Sequence, residues 1–553
     1  MSRAAGGFEA PGATGRPSAL RGIYRDDLAA RAVYAEGAGI GRRLPDAVAV
    51  PADAEDLAAL VAWAAAEAVP IVPRGSGSGM AAAATGPGVV VDCSRLDHVG
   101  AVDVERRTVR CGPGAVRAAV DAAARMHGLR FPVDPSSGAF CTVAGMVAAN
   151  AAGARSLRFG PTRAWVEALG CVFADGSAIQ LRRGTPPPAG SALARLTRDL
   201  LPRWRGHAAL WHAVRKESSG YAVAAAAESG EAVDLMAGSE GTLALFTDLE
   251  LRLTPVAGAT ASAFARFGSL EDATAAASEA RALGAAACEL LDRTFLDIVS
   301  GASPLAIDAS SEAALLIEAE ADTAPEAAAI IRLIADACRR SGATYLDLAL
   351  SPEAEHALWS IRHAASPTLA RIDPALESMQ FIEDACVPTE SLPAYVRGVR
   401  AALARRSIRG VIFGHAGDAN VHVNPLIDVR RRGWRADVAS VLDEVTALVA
   451  SLGGTLTGEH GDGRLRTPLM PRVWSSEALE CFAEVKQMLD PHGILNPGVK
   501  VASGESTTEN ALGAIKYDPD LPALPPAARA ALDYVERERA YASFRLALLD
   551  DGG

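Results

Sequence analysis

FPVDPSSGAFCTVAGMVAANAAGARSLRFGPTRAWV, residues 131–166, is too polar and too rich in small side chains to be core. Asp134-Pro135-Ser136-Ser137-Gly138 is a cluster of turn formers. Gly145, Asn150 and Gly153 mark a backbone that must pass close to something flat. Upstream, VPIVP (69–73) reads as a short buried strand and is followed by Arg74-Gly75-Ser76-Gly77-Ser78-Gly79. Such a loop exposes successive backbone N–H groups that can nest around a pyrophosphate. A Rossmann loop needs G-x-G-x-x-G opening a helix, with an acid about 20 residues on. Here Met80 holds the last glycine position and Asp92 lies 17 residues after Gly75. A plain glycine-rich turn is the other reading. Two such cradles in one α+β domain favour a large, extended dinucleotide.

Around these segments strands and helices alternate. DAEDLAALVAWAAAE (53–67) reads as a helix with Asp near its start, VVVDCSRL (89–96) as a strand, and TVRCGPG (108–114) as strand then turn. VRAAVDAAARMHG (116–128) is a helix closed by Gly128, and ALGCVFADGSAIQL (168–181) a hairpin turning at Asp175-Gly176. Thr254-Pro255 marks a boundary. Beyond it, Ala-rich helices with strands such as AALLIEAEA (313–321) suggest an α+β domain with an antiparallel sheet. The expected organisation is a flexible arm (1–28), a first domain (29–255), a second (256–500) and an extension (501–553) ending in a helical stretch, PAARAALDYVERERAYASFRLALL.

Chemistry concentrates in GVIFGHAGDANVHVNP (410–425) and GGTLTGEHGDGR (453–464). His415 and His422 flank one tight connection between two short strands, and His422 and Asn424 share a strand face. Glu459-His460 sit between Gly458 and Gly461. Two imidazoles and one carboxylate suit an open divalent site, with the neighbouring His460 able to act as a base. A polar hairpin with surface histidines is the alternative.

The net charge of −12 argues against nucleic acid or an anionic membrane as partner. The eight cysteines include no C-x-x-C pair, which argues against an iron–sulfur cluster and a disulfide scaffold. No leader-like or membrane-spanning apolar stretch is visible, so a cytoplasmic location is expected.

Eight segments in one order resemble the FAD-linked D-2-hydroxyacid dehydrogenases of the vanillyl-alcohol-oxidase/p-cresol-methylhydroxylase (PCMH) superfamily. They are VPRGSGSG (72–79), FPVDPSSGAFCTVAGMVAANAAGA (131–154), KESSGY (216–221), GSEGTLALFT (238–247), FIEDACVP (381–388), GHAGDANVHVNP (414–425), GEHGDGR (458–464) and DPHGILNPGVK (490–500). The resemblance implies an α+β architecture: a two-subdomain PCMH-type FAD-binding domain followed by a substrate cap. Arg74 to Gly79 would hold the pyrophosphate of noncovalent FAD. Ser136, Gly138, Thr142, Gly145, Asn150 and Gly153 would line adenosine and flavin, and Asn496 would return to the isoalloxazine. It further implies oxidation of D-lactate, D-2-hydroxyglutarate or glycolate, with a hydride passing from Cα to flavin N5. His415, His422 and Glu459 would hold zinc, or manganese or cobalt, and His460 would be the base. Asn424 would orient substrate or ligand, and Arg362 would clamp the carboxylate.

Two departures stand out: Ala81–Ala84 and Ala419 occupy positions where the family is often more polar or has glycine. STTENALGAIKYDPDLPALP (506–525) resembles the lead-in to a C-terminal iron–sulfur module, but no cluster cysteines accompany it. Electrons would then leave to a separate redox protein, a quinone or oxygen; a homodimer remains open. The rival readings are a sugar or alcohol oxidase of the superfamily, a non-redox relative of the alkyl-glycerone-phosphate synthases, and a flavin subunit of an electron-transfer complex.

Overall fold

The runs IVPR and VVVD do not alternate because both faces of each are covered. In the computed structural model, which describes residues 15–299, 310–363 and 375–550, they are neighbouring parallel strands. The first sheet contains β1 (Ile23–Arg25), β2 (Ala47–Val50), β3 (Ile71–Arg74) and β4 (Val89–Asp92) in the order β1-β2-β4-β3. The helix Ala54–Ala66 starts where Asp53 accepts from Asp56 N, and it buries Leu57, Leu60, Val61 and Ala64. The glycine loop leads through turns into β4 and opens no helix, which excludes the Rossmann alternative.

The expected arm shortens. Residues 1–14 lie outside the described residues. Ile23, Tyr24 and Arg25 pair with Val50, Ala49 and Val48, and the Asp56 carboxylate accepts from Arg21 N and Gly22 N. These backbone bonds tie residues 21–25 to the first sheet, so this part of the arm is ordered.

A second, antiparallel sheet comprises β5 (Val99–Asp103), β6 (Thr108–Cys111), β7 (Val166–Val172), β8 (Ala178–Arg182) and β9 (Leu245–Arg252), in the order β5-β6-β9-β7-β8. The hairpin β7–β8 turns at Gly176, whose φ is +80°.

The third sheet has eight strands: β10 (Ala259–Phe267), β11 (Ala287–Asp292), β12 (Ala313–Ala321), β13 (Ala343–Ala349), β14 (Glu377–Ser378), β15 (Ala385–Cys386), β16 (Arg409–His415) and β17 (Asn420–Ile427). Their order is β13-β10-β12-β11-β16-β17-β14, with β15 also on β17, and every pairing is antiparallel. Helices Leu270–Ala282, Ala324–Arg340, Leu392–Ala404 and Trp434–Ser451 share a core with one face of this sheet, through residues such as Ile412, Val421 and Val423. The alternate residues Phe413, His415, His422 and Asn424 occupy the other face. Sliding β17 by one residue would turn His422 into the apolar core among the helices and carry Val421 and Val423 into the polar face, so register holds the histidines in place.

The C-terminal extension differs from the single helical stretch expected. Its helix runs Pro526–Glu538 and stops at left-handed Arg539 (φ +53°), where Ala540 N bonds Val535 O. A short helix, Ala547–Asp550, follows. The turn lets Leu546 rejoin Leu532, Ala528, Val33 and Tyr34 in one apolar cluster, burying surface that a straight helix would leave in water.

Candidate active site

The turn Ala416–Asp418 with left-handed Ala419 (φ +53°) reverses the chain between β16 and β17. In the resulting register Phe413 faces His422 and His415 faces Asn420, so the two imidazoles converge on one face. Their Nε2 atoms lie 3.4 Å apart. Glu459 Oε1 completes a triangle, 3.2 Å from His415 Nε2 and 3.3 Å from His422 Nε2. His415, His422 and Glu459 are all buried.

Two of the three donors, His415 and Glu459, are aimed by further groups. His415 Nδ1 meets Glu289 Oε1 at 2.5 Å, which turns Nε2 into the triangle. Glu289 Oε2 also accepts from Arg362 Nε at 2.9 Å, and the Arg362 guanidinium lies 4.4 Å from the Phe413 ring centroid. Glu459 Oε2 accepts from buried Lys216 at 3.0 Å. His460 stacks on His422, with ring centroids 5.2 Å apart and planes 16° apart. Its Nδ1 is 2.7 Å from Glu383 Oε2, while its Nε2 lies 3.7 Å from Glu459 Oε1. Asp384 Oδ2 accepts from His460 N (2.8 Å) and Glu459 N (3.2 Å), fixing the backbone of GEHGDGR.

The electrostatics follow from packing carboxylates around imidazoles. Burial alone would lower both histidines. Glu289 overrides it at His415, raising the ring to about 9, and Asp384 and Glu383 raise His460 to about 10. Burial likewise opposes ionisation of Glu459, but Lys216 and His415 hold it well below the usual carboxylate range. The site therefore favours added positive charge. A divalent cation within the same triangle would supply it. The donor set fits such an ion.

The two glycine-rich segments meet as a cradle. A Cβ on Gly75 would stand 2.1 Å from Thr142 Oγ1, and one on Gly153 would stand 2.4 Å from Asp134 O. Thr142 caps the helix Val143–Ala149, and its Oγ1 accepts from Gly145 N. Left-handed Asn150 (φ +52°) ends that helix, and its Oδ1 accepts from Arg163 N. A Cβ on Gly79 would meet nothing within 4 Å, so this edge of the loop stays open. Ser76 Oγ donates to Ser78 Oγ at 3.0 Å. Gly138 is buried in its turn and Ser136 is exposed. This backbone-lined cleft suits FAD.

Three expected site residues also carry bonds within the protein that the sequence did not suggest. The Arg74 guanidinium donates to the carbonyls of Tyr34, Glu36 and Ala84. It braces the loop through these three bonds. The Asn496 amide donates to Glu240 O and Ala83 O and accepts from Arg464, knitting three loops together. Arg362 is tied through Nε to Glu289, whose buried charge needs a cation. Asn424 lies two residues beyond His422 on the same face and is buried.

Lys216, Glu289, Glu383 and Asp384 had no role in the reading of the sequence. Three lie in quoted segments, KESSGY and FIEDACVP. Glu289 left a weaker signal, an acid within the apolar strand ACELLD.

Comparison with known proteins gives the family. The FAD binding domain family matches residues 45–182, and the FAD linked oxidases, C-terminal domain, match residues 257–499. The chain is 30% identical to a D-lactate dehydrogenase of Archaeoglobus fulgidus, over 82% of this chain and 90% of that protein. It is 30% identical to a D-2-hydroxyglutarate dehydrogenase of Xanthomonas citri pv. viticola, over 82% and 89%. It is 28% identical to the glycolate oxidase subunit GlcD of Bacillus subtilis, over 86% and 93%. Among solved structures, 4-ethylphenol oxidase from Gulosibacter chungangensis superposes with a TM-score of 0.62 at 15% identity, covering 86% of this chain and 94% of that one. An alkyldihydroxyacetonephosphate synthase superposes at 0.60, also at 15% identity, over 86% and 83%. These two likenesses speak for the fold alone. Fold and site together define a FAD-dependent oxidoreductase. Within that class, the chain belongs to the family of FAD-linked D-2-hydroxyacid dehydrogenases.

Proposed function

We propose that the protein oxidises a D-2-hydroxyacid of the D-lactate, D-2-hydroxyglutarate or glycolate type to its 2-oxoacid, removing a hydride from Cα and a proton from the hydroxyl. The observation that carries this reading is the triangle of His415 Nε2, His422 Nε2 and Glu459 Oε1, with His460 stacked beside it. FAD in the cradle supplies the two-electron acceptor, and a divalent ion on the three donors, zinc or else manganese or cobalt, supplies Lewis acidity for the substrate oxygen.

The protein's own groups do the rest. His460 would take the hydroxyl proton at Nε2 in its neutral form, with Glu383 holding Nδ1 and fixing the ring against His422; the charge of an ion on the triangle would oppose the extra proton that Asp384 and Glu383 favour. Arg362 meets the substrate carboxylate through its Nη edge, since Nε is engaged by Glu289. Asn424 orients substrate from the same strand face. Lys216 and Glu289 keep the ligand atoms aimed inward.

We place the FAD-binding domain at 29–255, the substrate cap at 256–500 and the extension at 501–553; the family matches support this division, and the helix Ser476–Leu489 of the cap packs back into the core of the first domain. No described helix is long and apolar enough to cross a membrane. All eight cysteines are buried and unpaired, which supports a reducing, cytoplasmic setting. Electrons leave to a redox protein, a quinone or oxygen.

The test is anaerobic bleaching of the flavin by a panel of D- and L-2-hydroxyacids. Rapid bleaching by D-acids alone supports the reading. Bleaching by a sugar or phenolic alcohol, or by none of them, sinks it.

A further inference from the structure

Residues beyond 499 lie outside both family matches, yet the chain's last turns return to the glycine loop. Arg545 is 3% exposed. Its Nη2 donates to Ser76 O at 3.3 Å, and its buried Nε and Nη1 have no partner among the described residues. Arg74, Tyr34, Tyr541 and Asp92 surround it, and Glu36, Lys516 and Glu536 line the small cavity beside it. Arg74 is also buried and carries an unpartnered Nε. Asp92 is bound by the Tyr34 hydroxyl at 2.5 Å, and the Tyr541 ring centroid lies 5.5 Å from the Arg545 guanidinium. Neither guanidinium forms an ion pair among the described residues. Burial, reinforced by Arg74, pushes Arg545 down to about 10.

The same segment reaches the second cradle. Tyr541 packs on Phe140, which follows the 134–138 turn, with ring centroids 5.2 Å apart. A buried, half-satisfied cation is strongly unfavourable unless an anion meets it. The loop amides of residues 75–79 offer only neutral donors to a diphosphate, which carries two negative charges. We propose that Arg545 is a counter-cation for the FAD diphosphate, and that the C-terminal segment bearing it closes the nucleotide cradle.

A residue that merely pins Ser76 O would behave differently in the flavin-free protein. Replacing a counter-cation removes an uncompensated charge from the apoprotein, so Arg545→Met should leave its Tm unchanged or raise it. FAD dissociation, followed by flavin fluorescence on the full-length chain, should weaken by about 10- to 100-fold. ADP, which carries the diphosphate without the flavin, should lose affinity for the apoprotein by a similar factor. If Arg545→Met does not fold, Arg545→Lys decides: a point charge replacing the fork should keep the apoprotein Tm and weaken FAD by about 3- to 10-fold. An FAD dissociation constant within twofold of wild type in the variant that decides would overturn the proposal. So would an apoprotein Tm that falls as far as the holoprotein Tm.

Discussion

His415 and His422 lie on adjacent antiparallel strands, their Nε2 atoms 3.4 Å apart, although seven residues separate them in the chain. The spacing suits two ligands of one ion, each about 2.0–2.1 Å from it. His422→Ala should therefore abolish binding of one equivalent of metal while leaving FAD bound. Metal analysis beside the flavin absorbance ratio measures both. Chelator treatment should inhibit the wild type, with zinc, manganese or cobalt restoring activity. Full turnover by protein shown to be metal-free would remove the ion from the reaction.

Lys216 holds the outer oxygen of Glu459. Lys216→Met takes away that support without touching the triangle, and should weaken metal binding by about 10- to 100-fold. Competition titration against a chromogenic chelator reads the change. An unaltered affinity would mean that Glu459 needs no such anchor.

His460→Ala should retain FAD and metal yet slow flavin reduction by about 100- to 10,000-fold, the usual weight of a positioned base. Anaerobic stopped-flow mixing with the best substrate isolates this step from reoxidation. Reduction at the wild-type rate would take His460 out of the proton's path.

Arg362→Ala should raise KM by about 10- to 100-fold, since a charged hydrogen bond to the substrate carboxylate is lost. It should also lower Tm, because Glu289 loses its cation. Arg362→Lys separates the two effects: it restores the charge beside Glu289 but not the fork, so Tm should recover more than KM. Unchanged KM in both variants would rule out the clamp.

Gly75→Ala tests the cradle. The new methyl would stand 2.1 Å from Thr142 Oγ1, so one of the two glycine-rich segments must move. Overpacking of this kind costs about 1–3 kcal/mol, and purified protein should contain less FAD than wild type. Wild-type flavin content and Tm together would show that the segments do not need their close approach.

Local patterns made much of this legible from residues alone. VPIVP read as a short buried strand because nothing polar interrupts it, VVVDCSRL read as a strand, and Asp53 announced its helix by capping it, whereas the parallel pairing of the two strands came only from the fold. GHAGDAN between β-branched runs placed His415 and His422 around one reversal. What no local pattern contained was convergence between distant segments. Lys216, Glu289 and Glu383 reach the histidines only after three loops and a strand fold together, and a buried acid in ACELLD looks like any strand acid until its partner arrives from residue 415. Arg74 and Asn496 show the converse. Their residue types suited a ligand, but the tertiary structure turned their donors onto backbone carbonyls that burial would otherwise have left unpaired. The fold family could thus be read along the chain, whereas which charge faces which could be decided only by the packing that removed water from between them.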